Sequence, residues 1–147
     1  MTEEQTGGEL RISRPRSGLQ PRVRRRLVEE LEACPDLAFA HLNEVEVVER
    51  AEGAGLVLFA WLLPQAVRSL RSALNLVSEA VARALPEEVY LDVVILNSAP
   101  ELLLEIEAAG SLLLERDPDE RARALEAARA APHHEEAPAD RPWWRLW

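Results

Sequence analysis

Within the stretch VYLDVVILN, residues 89–97, a single carboxylate, Asp92, interrupts a strand-forming run. Strand alternation places Tyr90, Asp92, Val94 and Leu96 on one side and Val89, Leu91, Val93 and Ile95 on the other. A carboxylate on a sheet face can ligate a metal or act as a base. Mg²⁺ asks for two or three convergent oxygens, however, and a base asks for a positioned proton partner. The hairpin strands offer Glu44, Glu46 and Glu52 as companions, but with neither an Asp-x-Asp pair nor a flanking Gly-Ser turn. Tyr90 and Asp92 are therefore a candidate sheet-face site, and the expected role of Asp92 is that of a solvated carboxylate on the more open face.

The other reactive side chains are scattered. Cys34 is the single cysteine, which excludes an internal disulfide framework and fits a reducing cytoplasm. As a nucleophile it would need a base and an orienting group, and His41 is the one histidine outside the C-terminal segment. His41 shares a strand face with Leu37 and Phe39, which favours a satisfied structural histidine. His133 and His134 are adjacent and have no second ligand pair, so they do not suggest a metal site. There is no G-x-G-x-x-G, no Walker A and no G-x-S-x-G motif. No catalytic residue, metal or cofactor is expected.

Charge is unevenly distributed. All 17 basic residues are arginine and the chain carries a net charge of −9, which argues against general nucleic-acid binding. Residues 11–26 nevertheless hold seven arginines (11, 14, 16, 22, 24, 25 and 26) and no acid, leaving ten Arg against 26 acids elsewhere, a net of −16. Arg22, Arg24, Arg25 and Arg26 are thus a candidate patch for an anion or an acidic partner. The simpler alternative is a solvated helix face lying against its own acidic body.

Periodicity supplies the elements that would carry these residues. ELRIS (9–13) alternates as a short strand with Leu10 and Ile12 on one face. A helix is expected over about 21–33, with Pro21 in its first turn, an apolar stripe of Val23, Leu27, Val28 and Leu31, and Pro35 ending it. Strands at 37–49 and 56–63 flank the glycine-containing turn 50–55 and form a hairpin. A long helix over 65–84 has its stripe at Val67, Leu70, Leu74, Val77, Val81 and Leu85. A central strand over 88–96 follows, then a helix over 99–109 capped by Asn97 or Ser98 and closed by Gly110. A strand at 111–116 and a helix at 118–131 complete the domain. The order β-α-β-β-α-β-α-β-α predicts an α+β two-layer sandwich: a mixed sheet of four or five strands with helices mainly on one face. Residues 1–8 are expected to be disordered, residues 9–131 to form one domain, and residues 132–147 to be a Pro-rich acidic tail.

That tail ends in WWRLW, where Trp143, Trp144, Arg145 and Trp147 are candidate partner-binding residues. The alternative is that they fold back over Tyr90 and Trp61. A membrane role is not expected, because the preceding segment is acidic and no apolar run is long enough to span a bilayer.

Two family resemblances follow from these patterns. Residues 9 to about 117 resemble the C-terminal domain of enhanced serine sensitivity (SseB) proteins. The resemblance runs through ELRIS, the helix VRRRLVEELEACPDL, AFAHL, an acidic hairpin, LVLFAWL, a long helix ending in LP, LDVVILN and a terminal LLLERD. It implies a cytoplasmic accessory or interaction role without catalytic residues, exercised on a protein partner or a second copy of the chain. Separately, LDVVILNSAPELLLEIEAAGSLLLERD is similar to the C-terminal half of minimal nucleotidyltransferases, where such a strand bears a catalytic aspartate. The Asp-x-Asp pair and Gly-Ser turn of that family are missing from FAHLNEVEVVERAEGAGLVLF (39–59). That resemblance therefore implies a degenerate relative that keeps at most nucleotide binding or a toxin–antitoxin role.

Overall fold

A computed structural model describes residues 10–15, 18–47 and 54–130. The expectations for residues 1–8 and for the tail, including Trp143, Trp144, Arg145 and Trp147, lie outside the described residues, as do those for Glu52, His133 and His134. The fold is α+β around a mixed five-stranded sheet, with the expected element order. Strand β1 (Leu10–Ser13) is followed by α1 (Pro21–Glu32), β2 (Leu37–Val47) and β3 (Ala54–Leu62). A 3₁₀ turn over Pro64–Ser69 leads into α2 (Leu70–Ala84) and then β4 (Asp92–Ile95). Two more 3₁₀ turns precede α3 (Leu103–Ala108), which is followed by β5 (Leu112–Glu115) and α4 (Pro118–Ala130). Among the described residues no helix is long and apolar enough to cross a membrane.

The long strand β2 organises the sheet. It pairs antiparallel with β3 on one side, and on the other side first with β5, through 39–41, and then with β1, through 44–47. The ends of β1 and β5 therefore meet along one edge of β2. On the far side β4 runs parallel to β3, as a strand–helix–strand connection through α2 allows. The strand order β1-β2-β3-β4 makes β4 an edge strand, not the expected central one. It is also shorter than expected, because residues 86–89 close a turn through Val89 N–H and Pro86 O before the strand begins. An apolar run shows that both faces of a strand are covered and says nothing about its rank in the sheet.

Both faces are indeed covered. Leu42, Leu58, Ala60, Leu62, Val93 and Ile95 pack under α1 and α2, through Leu27, Leu31, Ala73, Val77 and Ala80. The alternate positions Val57, Phe59, Val94 and Leu96 pack under α3 and α4, through Leu103, Ile106 and Ala124. Helices thus lie on both faces, where the stripes alone suggested mainly one. The α2 stripe is also rotated from expectation. Its buried line is Ala73, Val77, Ala80, Val81 and Ala84, while Leu70, Leu74 and Leu85 remain half-buried. Alanines let α2 approach the sheet closely and displace the leucines to its margin.

Candidate functional sites

Three places concentrate polar or open surface, and the sheet decides which side chains meet in each. The first is the edge at β4. Register places Asn43, Val57 and Asp92 in one row and Glu44 with Leu56 in the next. Neighbouring rows point to opposite faces, so Asp92 lies on the α3/α4 side and Glu44 and Glu46 on the α1/α2 side. The carboxylates that would have to converge are separated by the sheet itself. Asp92 instead accepts a hydrogen bond from the Tyr90 hydroxyl at 2.7 Å, and Tyr90 is 77% exposed. The bond to Asp92 raises the Tyr90 pKa, because it favours the protonated phenol. Among the described residues no three His, Cys, Asp or Glu side chains form a metal-ligand group. Beside this pair an open groove of about 500 Å³ runs between α2 and the chain entering β4, bounded by Leu74, Ala82, Leu85, Tyr90 and Leu91.

The second place is a buried charged network that sequence reading missed. His41, 1% exposed, meets Glu107 Oε2 through Nε2 at 2.9 Å. Arg121 binds both Glu107 oxygens, at 2.8 and 2.6 Å, and reaches Glu115 at 2.7 Å. An arginine fork on a carboxylate is the strong, bidentate form of an ion pair. Burial acts to raise the Glu107 pKa, but Arg121 and His41 outweigh it and leave Glu107 below the usual carboxylate range. Burial lowers the His41 pKa and prevails over the attraction of Glu107. The ionised Glu107 can only accept, so neutral His41 carries its proton on Nε2 and leaves the lone pair of Nδ1 buried without a partner.

His41 also stacks edge-on to Phe39, with ring centres 5.8 Å apart. The expectation that Leu37 shares this face fails, because a register shift between Leu37 and Phe39 inverts the alternation and sends Leu37 under α1 and α2. Cys34 lies in that same α1/α2 layer, with the sheet between it and His41, so nucleophile and base do not meet. Burial raises the Cys34 pKa, which keeps the thiol protonated and unreactive. Its carbonyl accepts from Arg116 Nη1.

The third place lies where β1 and β5 meet on β2, next to the first turn of α1. Arg22, Arg24, Arg25 and Arg26 are all exposed on α1. Only Arg24 among them lines the cavity there, together with Arg14, Gly18, Gly110 and Ser111. Gly18 and Gly110 both adopt positive φ, the latter as expected beyond the end of α3. Comparison with family models, with curated proteins and with solved structures gives no match.

Proposed function

We propose that this chain is a non-catalytic, cytoplasmic protein-interaction module of the kind its resemblance to the SseB C-terminal domain implies, and that its contact surface is the free edge of β4. The observation that carries this reading is the pairing of an edge strand with an apolar groove. Among the described residues β4 pairs with β3 alone, so its outer backbone groups face away from the sheet. Leu74 and Leu85, displaced from the core by the alanines of α2, line the groove beside that edge, and Tyr90 stands exposed at its rim. An extended partner segment adding to β4 would gain main-chain hydrogen bonds and place alternate side chains against the groove. The charged network around His41 is closed upon itself and offers no comparable surface.

The test is a photo-cross-linking amino acid at position 90 of the full chain, with position 126 on α4 as control, irradiated in lysate of the cells that make the protein. A discrete protein adduct from position 90 alone, lost when Ala82→Arg fills the groove, is the expected result. An adduct of twice the chain mass would identify the partner as a second copy. Absence of adducts, or equal adducts from both positions, would sink the proposal. The degenerate-nucleotidyltransferase alternative would gain instead from Mg²⁺-dependent stabilisation by ATP that Asp92→Asn abolishes.

A further inference from the structure

We propose that the groove beside β4 takes an extended segment of a partner protein in which apolar residues alternate with arginine or lysine. This inference rests on the β4 edge being the contact surface, and it adds the chemistry of what binds there. The walls of the groove are apolar, with Leu74, Val81 and Leu85 on the α2 side and Val89, Leu91 and Val93 across from them. Its charged residues are two acids, Glu87 and Asp92, and its lining contains no base. Neither acid forms an ion pair with a described residue, although Glu30, Glu46, Glu107, Glu115 and Glu120 each do. Two carboxylates at an apolar wall, with no cation of the protein beside them, create a field that favours a positively charged partner.

The sheet decides how the two kinds of side chain must be arranged. Leu91 and Val93 pack on the α1/α2 side. Asp92, in register with Val57, lies on the opposite side. A strand added to β4 continues these rows, so its own side chains alternate between the same two sides. Those on the α2 side meet the apolar groove, and those between them come beside Asp92 and Tyr90. Asp92 accepts from the Tyr90 hydroxyl through Oδ1, and no described residue binds its other oxygen. The same hydrogen bond holds the Tyr90 side chain, which is otherwise open to solvent. A guanidinium placed there pairs with the carboxylate and lies against the ring face. Arginine serves this better than lysine, because its planar fork suits carboxylate and ring together. Glu87, exposed at the turn that leads into β4, supplies a second carboxylate at the same end of the strand.

The full chain is titrated with three capped peptides, RLRLRL, QLQLQL and RGRGRG, at constant ionic strength, following backbone amide resonances. The second peptide keeps the apolar residues without charge, and the third keeps the charge without apolar residues. The expected result is saturable movement of the Leu91, Asp92 and Val93 amides with RLRLRL, and binding at least about fivefold weaker with either of the others. Asp92→Asn and Glu87→Gln should each weaken RLRLRL binding about threefold, as loss of a partly exposed ion pair implies. Glu126→Gln, at an exposed acid on α4, should leave it unchanged. No saturable movement, equal binding of RLRLRL and QLQLQL, or equal weakening by Glu126→Gln would overturn the proposal. Binding by a chain truncated after Ala131 but not by the full chain would give the groove to the chain's own C-terminal segment, and would overturn it too. If RLRLRL fails while the cross-linked adduct from position 90 still forms, the partner's chemistry is refuted and the contact surface stands. If both fail, the surface falls with it.

Discussion

His41 is a buried base held neutral against a carboxylate, and its titration should be visible in the stability of the whole chain. Its folded pKa lies below its ordinary value of 6.5 because burial disfavours the imidazolium. Below that ordinary value the unfolded chain takes up a proton that the folded chain refuses. Stability is therefore fully present above about pH 6.5 and is lost as pH falls through the folded value, by about 1.4 kcal/mol for each unit of depression. Glu107 is depressed as well and adds a second loss that begins lower, below its ordinary 4.5. Urea unfolding between pH 8 and 5.5 should show a falling midpoint, and His41→Phe should flatten that dependence; a flat wild-type profile would contradict it. Arg121 also lowers the His41 pKa, so Arg121→Met should move the imidazole titration upward in an NMR experiment. Only the structural role of His41 was legible in the sequence; its partners were not. Glu107 is 66 residues from His41 and lies on another element, and no periodicity links them.

At the scale of elements the sequence was far more readable, since nearly every strand and helix lies where apolar spacing put it. The failures have identifiable causes. A register shift at Leu37/Phe39 inverts a strand face, and helix cover on both sides gives the edge strand β4 the apolar character of a central one. Asn97 is a third case. Its type suits a helix cap, yet its carboxamide accepts from Leu62 N–H at 2.8 Å and donates to Leu62 O at 3.2 Å. The side chain thus extends the β3–β4 ladder by one step after β4 has ended at Ile95, and it satisfies buried backbone at the end of β3. Asn97→Ala should cost about 2–3 kcal/mol, because it strands both the donor and the acceptor of a residue that is 1% exposed. Asn97→Asp should be no better, since it keeps the acceptor but sets a carboxylate against the Leu62 carbonyl. Hydrogen exchange at the Leu62 amide is the specific readout. Global destabilisation with no preferential loss of protection there would refute the ladder role.

At the scale of the whole molecule, the two aromatics that the C-terminal segment was expected to cover, Tyr90 and Trp61, have different surroundings: Tyr90 is exposed and Trp61 half-buried. Trp61, one of the two aromatics it would have covered, is already committed. Its ring stacks on Phe39 with centres 5.8 Å apart, and its Nε1–H donates at 3.0 Å to Glu120, a buried acid in the first turn of α4. That turn is in place without help from residues beyond α4, because the Asp117 side chain accepts from the Glu120 N–H at 3.0 Å and Pro118 follows it. Tyr90, the other aromatic, is bound to Asp92 at the far edge of the sheet. The described residues thus pack both sheet faces among themselves, and a chain truncated after Ala131 should melt within about 2 °C of the full chain. For a domain of this size, loss of about 1 kcal/mol would already shift Tm by roughly 3–5 °C, so calorimetry can decide the matter. If the melting point holds and the Tyr90 cross-link persists, the β4 edge binds its partner without Trp143, Trp144, Arg145 and Trp147. If it holds while the cross-link disappears, those residues and the edge act on the same partner. A fall of 5 °C or more would make the segment part of the fold and overturn that expectation.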